Sequence, residues 1–324
     1  MAKARIVATW PLTPHAVERL REVAGTVEDV SKDNLPLDQL AKRLEDADAI
    51  ITFPLAIRFD RELLSHCKNL KVIATVSVGY DNIDLGACAE RGVKVGNTPG
   101  VIAPDTADIG MALILVTMRR VVAGLDFVRA GKFERGEMAP YGNALNRKTL
   151  GIFGMGGVGA ALGQRARAAG MKIIYHNRTK RSDVEPSDAT YVSFDDLLTT
   201  SDVIAVTAPL TPETRGVFDK EAFAKMKRGA YFVNIARGGL VQTDALYEAL
   251  KSGHLAYAGL DVTDPEPLPL AHPLYTLENV VVIPHIGTQT PETRDEMLEL
   301  AVSNVIAALR GEPLPAPVRL PVPT

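Results

Sequence analysis

Short apolar runs alternate with stretches whose apolar side chains recur every three or four positions, almost from one end of the chain to the other. Residues 5–9, 27–30, 49–53, 70–76 and 93–95 read as strands, and 14–23, 37–44, 60–66 and 84–90 as the helices between them. Strands alternating with helices of this length predict an α/β fold, with a parallel sheet covered on both faces. The rhythm breaks at residues 104–130, which predict one long helix. It has Pro104 in its first turn and Gly131 past its end. Ile109, Met111, Ala112, Leu113, Ile114, Leu115 and Val116 make it apolar nearly all round, so it must be buried on more than one side. Residues 132–147, with Gly136, Pro140 and Gly142, read as a loop. A second alternating set covers 148–283 and ends in Pro284-His285. Residues 292–309 form a last amphipathic helix. The tail from Gly311 carries Pro313, Pro315, Pro317, Pro321 and Pro323, and predicts an extended, surface-bound segment. Two parallel-sheet units in one chain imply a cleft between them, where ligands of such folds sit.

Composition narrows the function without naming it. A chain of 324 residues, 46% hydrophobic and 23% charged, has an ample core and fits about two domains. A net charge of −3 offers no broad attraction to nucleic acid or an anionic membrane. Cys67 and Cys88 have no Cys or His at ligand spacing, which argues against a disulfide framework or a metal site. The apolar run 6–10 is too short for a signal segment, and no stretch approaches the ~20 apolar residues that span a bilayer. A cytoplasmic protein is expected, with neither nucleic acid nor membrane as partner.

The chemistry starts at Gly154-Met155-Gly156-Gly157-Val158-Gly159, which follows an apolar strand and opens a helix. This is the G-x-G-x-x-G pattern in the setting that gives it meaning. Its glycines permit a tight turn and let bare backbone N–H groups approach a pyrophosphate at a helix N-terminus. A Rossmann-like dinucleotide domain is expected here, and a Rossmann-like or flavodoxin-like parallel-sheet domain before it. An NAD site wants a carboxylate roughly 20 residues beyond the glycines, on the ribose 2′-hydroxyl. Asn177 stands there, with Arg178, Lys180 and Arg181 behind it. A 2′-phosphate is repelled by a carboxylate and held by guanidinium, so NADP(H) is the expected cofactor, with NAD(H) tolerated.

Three residues at strand ends of the second unit could carry a reaction. Arg237 follows the apolar run 231–236 and precedes two glycines; a guanidinium there can grip a carboxylate and polarise an adjacent carbonyl. Glu266 lies in the proline-rich turn after the strand at 257–260. His285 ends the strand at 280–283 and runs into Gly287. Imidazole can give or take a proton near neutrality, and a neighbouring carboxylate would fix its orientation and favour its protonated form. Singly, these residues fit a surface ion pair, a solvated carboxylate and a loop histidine. Together, at successive strand ends beside a cofactor fingerprint, they make a functional cluster.

At these residues the chain resembles the D-isomer-specific 2-hydroxyacid dehydrogenase family over essentially its full length, and most of all its glyoxylate/hydroxypyruvate reductase branch. The motifs are Ser77-Val78-Gly79-Tyr80-Asp81-Asn82-Ile83-Asp84, Asn97-Thr98-Pro99-Gly100, Thr106-Ala107-Asp108 and residues 150–159. They continue as Pro209-Leu210-Thr211, Asn234-Ile235-Ala236-Arg237-Gly238, Gly259-Leu260-Asp261-Val262 and Pro284-His285-Ile286-Gly287. The resemblance implies that Arg237 binds the substrate carboxylate and carbonyl, that His285 donates the proton in reduction, and that Glu266 holds His285. It implies substrate contacts from Val78 and Gly79, and from Leu55 at the substrate's far end. Cofactor contacts are implied for Met155, Gly156, Gly157, Val158, Asn177, Arg178, Thr179, Pro209, Thr214, Ile235, Ala236, Asp261 and Gly287, with Thr106 beside them. It further implies a substrate-binding domain of residues 1–98 plus 286–324, a dinucleotide-binding domain of 99–285, and a homodimer built on the helix after Pro104.

The sequence departs from the family pattern in the loop 132–147, which lacks the tryptophan many relatives carry, Trp10 being the only one in the chain. It also has Gln242 where Asp is usual. The expected activity is NADPH-preferring reduction of small 2-oxoacids, glyoxylate and hydroxypyruvate. Reduction of a larger acid such as 2-ketogluconate, or a non-enzymatic dinucleotide-binding scaffold, stands as the alternative.

Overall fold

Every strand among the described residues pairs in parallel, in two separate sheets. The computed structural model describes residues 3–33, 35–54, 57–184 and 188–322. In chain order the first unit contains β1 (Ala4–Ala8), α1 (Pro14–Arg21), β2 (Ala24–Asp29), α2 (Leu37–Leu44), β3 (Ala49–Thr52), α3 (Arg61–His66), β4 (Val72–Thr75), α4 (Leu85–Glu90) and β5 (Lys94–Gly96). The second begins with α5 (Ala103–Met118), α6 (Val121–Arg129), β6 (Thr149–Phe153), α7 (Gly157–Ala168), β7 (Lys172–His176), β8 (Thr190–Tyr191) and α8 (Phe194–Thr200). It continues with β9 (Val203–Val206), α9 (Lys220–Lys225), β10 (Ala230–Asn234), α10 (Thr243–Lys251), β11 (Leu255–Leu260) and β12 (Val280–Val282). The last helix, α11 (Pro291–Arg310), returns to the first unit and packs on β3, β4 and α1.

Local chemistry explains where these helices begin. Thr13, Asp60, Asp84, Ser193, Asp219 and Thr290 each stand at a helix N-cap, with a side-chain oxygen accepting from a first-turn N–H. Strands β3, β4, β9 and β10 are buried at every position, as the inner strands of a sheet covered on both faces must be. The first sheet runs β2-β1-β3-β4-β5 and the second β12-β11-β10-β9-β6-β7-β8.

The units are residues 1–102 with 290–324, and residues 103–289. Each crossing falls four residues beyond the expected position. Val101 and Ile102 pack into the first unit's core, while residues 285–287 are tied to the second by Asp261 and Thr106. The helix expected over 104–130 is two helices, α5 and α6. Arg120 takes a left-handed conformation (φ 54°), and the N–H of Asn143 occupies the Met118 carbonyl at 2.7 Å, ending α5 there. The C-terminal tail is extended, and alternation buries Leu314, Ala316 and Val318 while the prolines between them face outward. Val318 donates to the Val95 carbonyl (2.8 Å), so the tail covers the free edge of β5.

Candidate active site

In the second sheet the chain leaves β6 toward β7 on one side and toward β9, β10, β11 and β12 on the other. The carboxyl ends of β6 and β9 therefore flank the topological switch point, where α/β sheets take their ligands. The glycine fingerprint lies there, and its glycines divide the work. Gly154 has a φ of +106°, and a Cβ on it would come within 2.4 Å of the Ala208 nitrogen, just past β9. A Cβ on Gly159 would meet the Gly154 carbonyl at 2.4 Å, so this glycine seats α7 against the turn. A Cβ on Gly156 would meet nothing within 4 Å, so this backbone faces open space at the start of α7. A tight turn, a close helix and one open glycine fit a pyrophosphate bound at the amides of Gly157 and Val158, which no intrahelical carbonyl serves. Asn177, past the end of β7, accepts the Met155 N–H at 2.6 Å. Arg178 and Thr179 beside it are exposed. The Glu213 carboxyl is held below its usual range by the Thr211 hydroxyl first, then by its own backbone N–H and by the Arg178 guanidinium. The Thr214 hydroxyl donates to the Pro209 carbonyl (2.8 Å) and so closes the turn after β9.

Arg237, Glu266 and His285 follow β10, β11 and β12, three neighbouring strands. The Arg237 guanidinium donates to the Ala236 carbonyl at 2.9 Å through Nη1. Its backbone is fixed by Asn234, whose side chain donates to the Arg237 carbonyl (2.9 Å) and accepts from the Ala236 N–H (3.0 Å). Ile235 is buried between them and α5. Gly238 lies so close to the next loop that a Cβ would fall 1.9 Å from the Thr263 carbonyl oxygen. The arginine turn is thereby pressed against the segment that carries Glu266. Glu266 Oε1 sits 2.6 Å from His285 Nδ1, with the two side chains 19% and 22% exposed. A carboxylate oxygen accepts, so Nδ1 carries the hydrogen of this bond and Nε2 takes no part in it.

His285 takes a left-handed backbone conformation (φ 53°), which only a few per cent of non-glycine residues adopt. Asp261 explains how it is held. Its side chain is buried, and its two oxygens accept from the backbone of Ile286 (2.6 Å) and Gly287 (2.9 Å), while its carbonyl takes the His285 N–H (2.9 Å). Burial pushes the Asp261 carboxyl above its usual range, against the pull of those N–H groups. The Thr106 hydroxyl, on α5, donates to the Gly287 carbonyl (3.1 Å) and anchors the same turn.

In the first unit Val78 ends the bend after β4 and Gly79 follows it; Asn97 donates to the Val78 carbonyl (2.9 Å). Leu55 lies outside the described residues. Trp10 packs on Phe53, with ring centroids 4.6 Å apart, and the Arg294 guanidinium lies over both rings. Two residues that shape the site have no role assigned from the sequence. Asn234 is a buried amide ending an all-apolar strand, a signal that was open to reading. Thr207, whose hydroxyl donates to the Gly154 carbonyl (2.7 Å), gives no such signal in sequence. Among the described residues no group of His, Cys, Asp and Glu is arranged to hold a metal, and no helix is long and apolar enough to cross a membrane.

Residues 111–287 match the family model described as D-isomer specific 2-hydroxyacid dehydrogenase, NAD binding domain. The chain is 39% identical to a glyoxylate reductase of Thermofilum pendens over 98% of its own length and 94% of the relative's. It is 40% identical to the glyoxylate reductase/hydroxypyruvate reductase of Homo sapiens, covering 90% of this chain and 89% of that one. Among solved structures it is similar to the NADPH-dependent glyoxylate/hydroxypyruvate reductase of Sinorhizobium meliloti in complex with NADP and malonate. The TM-score is 0.85 at 30% identity, over 98% of this chain and 97% of that one.

Proposed function

The chain belongs to the D-isomer-specific 2-hydroxyacid dehydrogenase family, and on that premise we propose that it reduces glyoxylate and hydroxypyruvate, with NADPH preferred to NADH. When bound, the reduced nicotinamide supplies a hydride to the keto carbon. Arg237 holds the substrate carboxylate and polarises the keto oxygen. His285 passes the proton on its Nε2 to that oxygen. Glu266 fixes the imidazole plane and offsets the positive charge of the ring until the proton leaves. The observation that carries this reading is the 2.6 Å bond between His285 and Glu266, on strand ends next to Arg237 and in the same sheet as the glycine turn. NADPH and NADH would be offered with a panel of 2-oxoacids. Turnover of glyoxylate and hydroxypyruvate above the larger acids supports the reading, and turnover of 2-ketogluconate alone overturns its substrate class.

The preference for NADPH rests on Asn177 and Arg178 standing where an NAD site keeps a carboxylate. A hydrogen bond to a charged group contributes roughly 1.5–3 kcal/mol, or about 10- to 150-fold in affinity. Arg178→Ala is expected to raise KM for NADPH by that order and to spare NADH; equal losses with both cofactors contradict it.

A second copy of the chain completes the reading. Val121, Leu125 and Val128 on α6, and Phe133, Met138 and Tyr141 after it, are large apolar side chains left exposed. A run of this kind on one helix and its following loop marks an association surface. A homodimer is expected by light scattering at micromolar concentration, and a monomeric mass refutes it.

A further inference from the structure

Three cationic side chains follow β7, and the structure separates them. Arg178 and Lys180 are exposed, whereas Arg181 is half-buried and bonded to the protein on every side of its guanidinium. Its Nε donates to Asp183 Oδ1 at 2.8 Å, its Nη2 to Asp183 Oδ2, and its Nη1 to the Met155 carbonyl at 2.9 Å. Its backbone N–H donates to the hydroxyl of Tyr175, a buried residue of β7, at 3.2 Å. The other face of the Met155 residue is held as well, because its N–H donates to Asn177 Oδ1 at 2.6 Å. Met155 is the second residue of the glycine fingerprint. Its amide and its carbonyl are thus both gripped by the segment that follows β7.

We propose that Arg181 and Asp183 form a latch that positions the fingerprint turn for the dinucleotide, leaving Arg178 to discriminate the 2′-phosphate. The inference rests on the reading that this turn binds a nicotinamide dinucleotide. Fork geometry explains the choice of side chain. A guanidinium engages both carboxylate oxygens through one edge and still has Nη1 for the Met155 carbonyl, whereas a lysine reaches these acceptors only by abandoning some of them. The same bond holds the Asp183 carboxyl down to about 2, so the pair is ionised throughout the neutral range. Arg181 is a positioning residue, and its loss loosens the turn equally for either dinucleotide. Asp183 is exposed, so replacing it leaves the core untouched.

Binding of NADH and NADPH would be followed by quenching of protein fluorescence in wild type, Arg181→Ala, Arg181→Lys, Asp183→Asn and Arg178→Ala, with melting temperatures recorded alongside. Arg181→Ala and Asp183→Asn are expected to raise Kd for both dinucleotides by the same factor, about two- to fivefold, as for a partly exposed charged contact. Arg181→Lys should recover only part of the loss, and kcat at saturating cofactor should move less than KM. A selective loss of NADPH in Arg181→Ala makes Arg181 a phosphate ligand and overturns the latch. Wild-type binding in both Arg181→Ala and Asp183→Asn overturns it too. Arg178→Ala reports on the cofactor preference alone: an unchanged ratio of the two Kd values removes that preference and leaves the latch standing. A wild-type protein that binds neither dinucleotide overturns both.

Discussion

Replacing Asp261 by asparagine changes almost no atoms and should still disable the site. The carboxylate accepts from Ile286 N–H at 2.6 Å and from Gly287 N–H at 2.9 Å. An amide offers one oxygen, so one of these bonds is lost and an NH2 group faces a backbone N–H. The lost bond was to a charged acceptor, worth roughly 1.5–3 kcal/mol, and the surviving one weakens to the ~1 kcal/mol of a neutral pair. Against this, the variant no longer ionises a group that is 2% exposed, and burial is the largest influence on that carboxyl. What decides the balance is the buried mispairing, an NH2 group set against a backbone N–H that has lost its acceptor, and it leaves a net destabilisation of about 1–3 kcal/mol. The functional loss should be larger than this figure alone suggests. Left-handed backbone at a residue such as His285 costs of order 1–3 kcal/mol and persists only while its surroundings enforce it. Once released, the imidazole leaves the 2.6 Å bond to Glu266, and kcat/KM for glyoxylate should fall at least about tenfold. Acid should widen the stability difference. The folded pKa of Asp261 lies above the unfolded value, so its contribution is fully present below the unfolded pKa and is lost as pH rises through the folded one. Guanidinium melts at neutral and mildly acidic pH, paired with initial rates, make the assay. A variant with wild-type midpoint and wild-type rate would refute the reasoning.

Three other perturbations read separate parts of the structure. Gln242 stands at the N-cap of α10 without a side-chain capping bond, so Gln242→Asp should stabilise by about 0.5–2 kcal/mol and raise Tm by roughly 2–4 °C per kcal/mol; an unchanged Tm contradicts this. Gly156→Ala meets open space and an ordinary φ of −87°, so it should fold like wild type yet bind dinucleotide at least about tenfold more weakly. Gly154→Ala, by contrast, should fail to fold well, because its φ is +106° and its Cβ would collide with Ala208. Burial pushes the Cys67 thiol up to about 11 and the Cys88 thiol up to about 12. Neither should react with an aromatic disulfide at mildly alkaline pH until the chain is unfolded, when both should; fast labelling of the native protein would show that these helices open.

What the sequence made legible was local. Strand and helix alternation, the glycine turn and the strand ends at Arg237 and His285 all depend on neighbours within a few positions. What it hid was set by contacts between distant segments. The break between α5 and α6 has no proline or glycine to announce it; it follows from Asn143 docking on the Met118 carbonyl. Arg181 looked like one more cation behind Asn177, and only the fold shows its guanidinium turned back to Met155. Asp261 was implied as a cofactor contact, and its two oxygens hold the backbone of residues 286 and 287. The tail shows an intermediate case. Its prolines predicted extension, but its alternation of Leu314, Ala316 and Val318 acquires meaning only beside the edge of β5.

The proposed reaction depends on His285 as the proton donor, with Glu266 behind it. The most direct test measures steady-state reduction of glyoxylate by His285→Ala, with NADPH binding titrated on the same preparation. Loss of a positioned general acid costs roughly 10²- to 10⁴-fold in rate. A fall of that size in kcat, with the Kd for NADPH within about twofold of wild type, is the predicted result. Near-normal turnover in this variant would contradict the account, because the bond between His285 and Glu266 would then belong to the fold and not to the reaction.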